Sequence, residues 1–194
     1  HTHETFDTMS EDQSQLEIDE WKRMASRFGI QATSVIFPRD RVGKLAILRK
    51  NGFTTYRQDV HLPLLFRNKY FGRYVKTFDH ILGITTAPSY PLAAIYDEGM
   101  LRLTASQHLF AFNRTVDRIL DRFGWTTLRI RRVIRGIKRA ARKGEMFHFW
   151  AHPWEFETEA DLVKLEAVLS TVAALVAAGK METVTMAQMA AIIE

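Results

Sequence analysis

The sequence predicts an α/β fold built on a parallel sheet, on three observations. Helical and strand periodicities alternate over the first sixty residues and resume over the second half. Glycines stand where helices should end, at Gly29, Gly52 and Gly179. The 194 residues, 46% of them hydrophobic, suffice for one well-packed core and are few for two, so a single domain over 1–194 is expected.

Ser10 to Phe28 reads as an amphipathic helix with Leu16, Ile18, Trp21, Met24, Ala25 and Phe28 as its buried stripe. Ile30 to Phe37 follows as a buried strand stopped by Pro38. Gly43 to Asn51 is a short helix, Gly52 its left-handed exit, and Phe53 to Arg57 the next strand. Between about 60 and 100 the rhythm falters around Pro63, Pro88 and Pro91, which reads as an irregular insertion with a helix near Arg67 to Leu82. Leu101 to Leu103 resumes a strand that closes at Ser106. A basic helical region runs to Lys143, an aromatic strand follows, and a long helix spans about Glu159 to Ala178. A short strand, Thr183 to Thr185, comes last, with Thr185 placed to cap a final small helix.

The chain has no cysteine, which excludes disulfides, thiolate metal sites and a cysteine nucleophile. Histidine, aspartate and glutamate remain for any zinc-type chemistry. The formal charge of +5 favours anionic partners without choosing among nucleic acid, lipid headgroups and phosphorylated substrates. No apolar run approaches the roughly 20 residues needed to span a bilayer. The chain begins His1-Thr2-His3 with no initiator methionine, which leaves room for a signal peptide or anchor upstream.

Phe147-His148-Phe149-Trp150-Ala151-His152-Pro153-Trp154 places a histidine where an apolar strand meets a proline-stopped loop. On a helix His148 and His152 would share a face at metal-pair spacing. Four aromatics beside a proline favour a strand, in which a rise of about 3.3 Å per residue sets the two imidazoles roughly 13 Å apart. His152 is therefore the functional candidate and His148 a packing residue, the alternative for His152 being a loop histidine at a strand end. His1 and His3, two apart, suit one face of an extended zinc-binding segment or, equally, a disordered end. His3, Arg39 and His152 all fall near strand ends that a parallel barrel gathers at one rim.

In these features and their order the chain resembles the polysaccharide deacetylases, in particular bacterial members associated with capsule, O-antigen or exopolysaccharide assembly. The resemblance runs through the opening histidines, the Ser10 to Phe28 helix, Phe37-Pro38-Arg39, Gly52-Phe53 to Tyr56-Arg57, Leu101 to Ser106, Phe147 to Pro153 and Thr185-Met186. It implies an incomplete or distorted (β/α) barrel and a divalent metal, zinc or cobalt, held by an aspartate and a His-Ser/Thr-x-x-His motif. Thr5 stands four after His1, so His3 fits better as the motif's second histidine. In that register the chain starts inside the motif, and the first barrel strand with its aspartates lies upstream. An Arg-x-Pro-Tyr motif reads Ile36-Phe37-Pro38-Arg39 here. Its backbone N–H would stabilise an oxyanion whatever the side chain, and Arg39 would stand in for the missing arginine. The alternative for Arg39 is a surface pair with Asp40.

By the same resemblance His152 is the general acid that protonates the departing amine or alcohol after metal-activated water attacks an acetyl group on a sugar. Tyr56, Arg57 and Ser106, at strand ends, are candidate sugar contacts. The basic stretch from Arg129 to Lys143 separates a cationic from an apolar helix face. That face suits an anionic membrane carrying lipid-linked glycans, or is a barrel helix with solvated charges. The implied setting is a bacterial cytoplasm or cell envelope. The competing function is a catalytically silent barrel that binds glycan or membrane, and nucleic-acid binding lacks an aromatic platform or module.

Overall fold

Ser10 starts the first helix for a local reason. Its hydroxyl accepts from Gln13 N at 3.2 Å while the Gln13 side chain accepts from Ser10 N at 3.0 Å, so two otherwise orphaned N–H groups are satisfied together. Helix α1 then runs Glu11–Ser26, and Gly29 leaves it at a φ of 66°. The computed structural model describes residues 4–59, 79, 84–110, 114–125 and 130–193. Within it the chain divides into two compact units, His1–Asp59 with Ala93–Thr104 and Val184–Glu194, and Val60–Leu92 with Ala105–Thr183.

The first unit carries a four-stranded sheet in the order β1-β2-β4-β3, from Ser34–Val35 (β1), Thr55–Gln58 (β2), Tyr96–Asp97 (β3) and Met100–Thr104 (β4). β1, β2 and β4 run parallel, as the alternating pattern predicts, and β3 turns back antiparallel on β4. The two-residue turn between them has Glu98 and Gly99 both at positive φ, the geometry that suits the twist of a tight hairpin. The Glu98 carboxylate accepts from Ala46 N at 2.8 Å and so satisfies a donor in the first turn of α2, Leu45–Lys50. Phe6, Ile18, Val35, Phe37, Leu48, Phe53, Tyr56 and Met100 form this unit's core, with Trp21 against it.

Three expectations need correction here. The buried stripe of α1 keeps Ile18 and Trp21 of the expected one but not its outer members, since Leu16 and Phe28 are exposed at 69% and 79% and Met24 is also exposed. Ser14, Glu17, Ile18 and Trp21 take the inward face at i, i+3, i+4 and i+7 spacing, and Ser14 enters because its hydroxyl donates to Ser10 O at 2.8 Å. The strand expected over 30–37 shrinks to two residues, because β1 lies at the sheet edge and pairs with β2 only at Ser34 and Val35. The 183–185 segment is not a strand. Thr185 spends its N–H on the Gln188 side chain at 2.8 Å and its hydroxyl on Gln188 N at 3.2 Å, capping Met186–Ile193, whose Ala190 is buried.

The second unit holds a parallel pair, Gln107–His108 (β5) beside Phe149–Trp150 (β6), with His108 opposite Trp150. Ser106 fastens the two chains just before the pairing. Its N–H donates to His148 O at 2.7 Å and its hydroxyl accepts from His148 N at 3.1 Å. Three helices, Arg114–Arg122 (α3), Arg131–Lys143 (α4) and Glu159–Ala177 (α5), complete the described part of this unit. α4 packs on α5 around Leu109, Phe110, Ile130, Val133, Ile137 and Val168. Gly136 lies so close to the Phe147 ring and to Ala87 that no side chain fits there. Thr158 and Asp161 cap α5 reciprocally. The helix expected over 67–82 lies, apart from helical Asp79, outside the described residues. No helix among the described residues is long and apolar enough to cross a membrane.

Candidate functional site: a histidine pair bridged by Glu155

The aromatic segment pairs as a strand only at Phe149 and Trp150, so the long strand expected over 147–154 is cut to two residues. Pro153 explains the stop, because its ring fixes φ and removes a ladder donor. The chain folds instead into a 3-10 turn, Pro153–Glu155, which brings Glu155 back beneath His152. Glu155 Oε2 accepts from His152 N at 2.6 Å and lies 3.4 Å from His152 Nδ1. The imidazole stacks on the Trp154 ring at 4.2 Å between centroids, inclined by 20°. The His152 side chain is 40% exposed and Trp154 70%.

His108 joins the group from β5. Both Glu155 carboxylate oxygens lie 3.0 Å from His108 Nε2. His108 Nδ1 is hydrogen-bonded to the Phe110 carbonyl, and the ring lies 4.2 Å from Trp150 and 6.0 Å from His152 between centroids. His108, His152 and Glu155 offer ligand atoms all within 4.8 Å of one another. This is the one group among the described residues whose side chains converge closely enough to hold a metal ion.

His108 and Glu155 escaped sequence reasoning. Glu155 carried a usable signal in the His-Pro-x-Glu spacing, where a proline opening a turn brings the fourth residue back on the first. His108 carried none, because its place beside Trp150 depends on which strands pair. Ser106, a candidate sugar contact, is 1% exposed and serves the pairing of the two chains.

The remaining candidates belong to the first unit, apart from His1 and His3, which lie outside the described residues. Tyr56 is 1% exposed, its ring edge-on to Phe37 and its hydroxyl donating to Asp97. Burial, and then that bond to a carboxylate, pushes the phenol well above the usual tyrosine value. Arg57 is buried and ion-paired to Asp40 at 2.7 Å. Asp40 therefore faces Arg57, in place of the expected pair with Arg39. Arg39 itself is exposed, and both it and Asp40 sit in the left-handed region, at φ of 56° and 53°. That conformation costs about 1–2 kcal/mol per residue without glycine, and the Asp40–Arg57 pair opposes the cost together with the backbone bonds from Asp40 N to Phe37 O and from Arg41 N to Pro38 O.

Compared with known proteins, the chain gives no match to any family model and no significant match to a curated protein or a solved structure.

Proposed function

We propose that the protein is a metal-dependent hydrolase that removes an acyl group, acetyl in the first instance, from a sugar or polysaccharide precursor, on an incomplete (β/α) barrel. The observation that carries the reading is His152, half-exposed at the carboxyl end of a parallel strand with a carboxylate on Nδ1. Reactive groups of parallel α/β enzymes gather at that end of their strands. A carboxylate beside one nitrogen orients the imidazole and leaves the second nitrogen, Nε2, as the one to exchange a proton with substrate.

In this reading water adds to the acyl carbon as an aspartate of the kind the resemblance implies takes one of its protons. The bond to nitrogen or oxygen breaks as His152 Nε2–H delivers its proton to the leaving amine or alcohol, and the acid departs as acetate, its remaining proton lost to solvent. His1 and His3 are the residues the resemblance implies would hold a divalent metal of the zinc class, which would polarise the acyl carbonyl. Trp154 offers an exposed apolar face beside the proton donor, suited to the apolar side of a sugar ring.

The test is acetate release from glycans containing N-acetylhexosamine, with zinc or cobalt supplied. His152→Ala is expected to lower kcat by about 10²- to 10⁴-fold, the range typical of a positioned acid. Unchanged turnover in that variant, or no acetate release by the wild type from any N- or O-acetylated glycan, overturns the reading. In the second case a glycan-binding protein without catalysis is the better description.

A further inference from the structure

The hydrogen bonds around His108 do not close as drawn by neutral groups. A carbonyl oxygen only accepts, so the bond to Phe110 O requires the His108 proton on Nδ1. In the neutral imidazole Nε2 then carries a lone pair, and what faces it at 3.0 Å is a carboxylate, which also only accepts. Two lone-pair groups meet at hydrogen-bond distance with no proton between them. Either a second proton on His108 or a cation must bridge them.

We infer that His108 Nε2, the Glu155 carboxylate and His152 Nδ1 form a binding site for a divalent transition metal of the zinc class, distinct from the metal of the opening histidines. The spacing is close to what an ion needs, since ligand atoms around a tetrahedral ion with bonds of about 2.0–2.2 Å stand roughly 3.3–3.6 Å apart. The separations from Glu155 are 3.0 Å to His108 Nε2 and 3.4 Å to His152 Nδ1. Two imidazoles and one carboxylate suit zinc or cobalt, whereas magnesium and calcium prefer all-oxygen sets. The bond from His108 Nδ1 to a backbone carbonyl is the outer contact that metal-binding histidines ordinarily make, fixing the tautomer and aiming Nε2. His152 N anchors the carboxylate from the other side at 2.6 Å. With three protein ligands a fourth position is left for water.

Metal on His152 Nδ1 and the imidazolium used as an acid are mutually exclusive. Occupation of this site therefore switches His152 off as a proton donor, a consequence that rests on the hydrolase reading, whereas binding itself does not. The experiment is titration of the metal-stripped protein with Zn²⁺ by calorimetry and with Co²⁺ by visible absorption, in the wild type, His108→Gln, Glu155→Gln and His152→Gln. The wild type is expected to take up one equivalent that the variants lose or bind at least about 10- to 100-fold more weakly. A cobalt band characteristic of low coordination number should disappear with it. Circular dichroism reports whether each variant is folded, and His152→Gln, the most exposed of the three, keeps the test open if a buried substitution unfolds the protein. Equal stoichiometry, affinity and spectra in the wild type and a folded variant overturn the site, as does absence of binding, which leaves a proton on His108 as the bridge. Acetate release is a separate readout: its failure refutes the hydrolase reading and leaves the binding result standing.

Discussion

At the residue scale the most exacting electrostatic arrangement outside the candidate site is Lys164, 2% exposed, with its ammonium 3.0 Å from Asp121 and 3.5 Å from Asp161. Asp161 is equally buried and also accepts from the N–H groups of Glu157 and Thr158. Lys164→Met keeps the length and apolar stem but leaves two carboxylates facing each other without their cation. Unfolding in urea should show a loss of about 3–5 kcal/mol, the cost typical of removing one partner from a buried pair. A loss below about 1 kcal/mol would mean the carboxylates protonate or move at little cost. Part of this residue chemistry was legible beforehand. His152 stood out because a proline followed an aromatic run, but its carboxylate partner required the turn and His108 required strand pairing. Lys164 and Glu17 show why burial was the harder inference: charge alone argues for solvent, and only partners brought in by the fold reverse that.

Among the elements, helix ends written by local chemistry were close to their expected places, whereas strand lengths set by neighbours were read less evenly. Ser10, Thr158 and Thr185 cap helices by bonds reaching three residues ahead, and Gly29, Gly52 and Gly179 leave them at positive φ, all within reach of a short window. Strand lengths are different, because a strand exists only where a partner runs beside it. Residues 30–32 and 183–185 were expected as strand and belong to no strand among the described residues, the contact with β2 beginning only at Thr33, whose carbonyl accepts from Thr54 N and Thr55 N. At the element scale Gly136 is a sensitive position. Gly136→Ala should raise helix propensity, yet its methyl group would strike the Phe147 ring and the Ala87 backbone. The expected net effect is a loss of about 1–3 kcal/mol in the urea or thermal midpoint, and a gain would show that the packing of α4 has room to yield.

For the molecule as a whole, Tyr56 couples stability to alkaline pH. Its folded-state proton is held more tightly than in the unfolded chain, where tyrosine ionises near pH 10, so the folded state binds more protons above that point. The stabilisation is therefore complete below pH 10 and drains away as pH rises further. Tyr56→Phe should be less stable than the wild type at pH 9, since Asp97 loses its donor, and the difference in urea midpoint should narrow by pH 11. A gap that stays constant between those values would show that the phenol ionises equally well in both states. The α/β class and the parallel strands could be read from alternating periodicity, but the grouping into two units could not, because it depends on which distant segments meet. That grouping has a consequence for biosynthesis. The helix at Met186–Ile193, which meets β2, belongs to the first unit although it is made after the second. At about 5–20 residues per second the ribosome delivers it many seconds after β2. Residues 105–183 can settle during that interval, while the first unit waits, incomplete, for Val184–Glu194 to emerge. A nascent chain stalled before residue 184 would therefore hold the first unit's sheet without the helix that packs on β2.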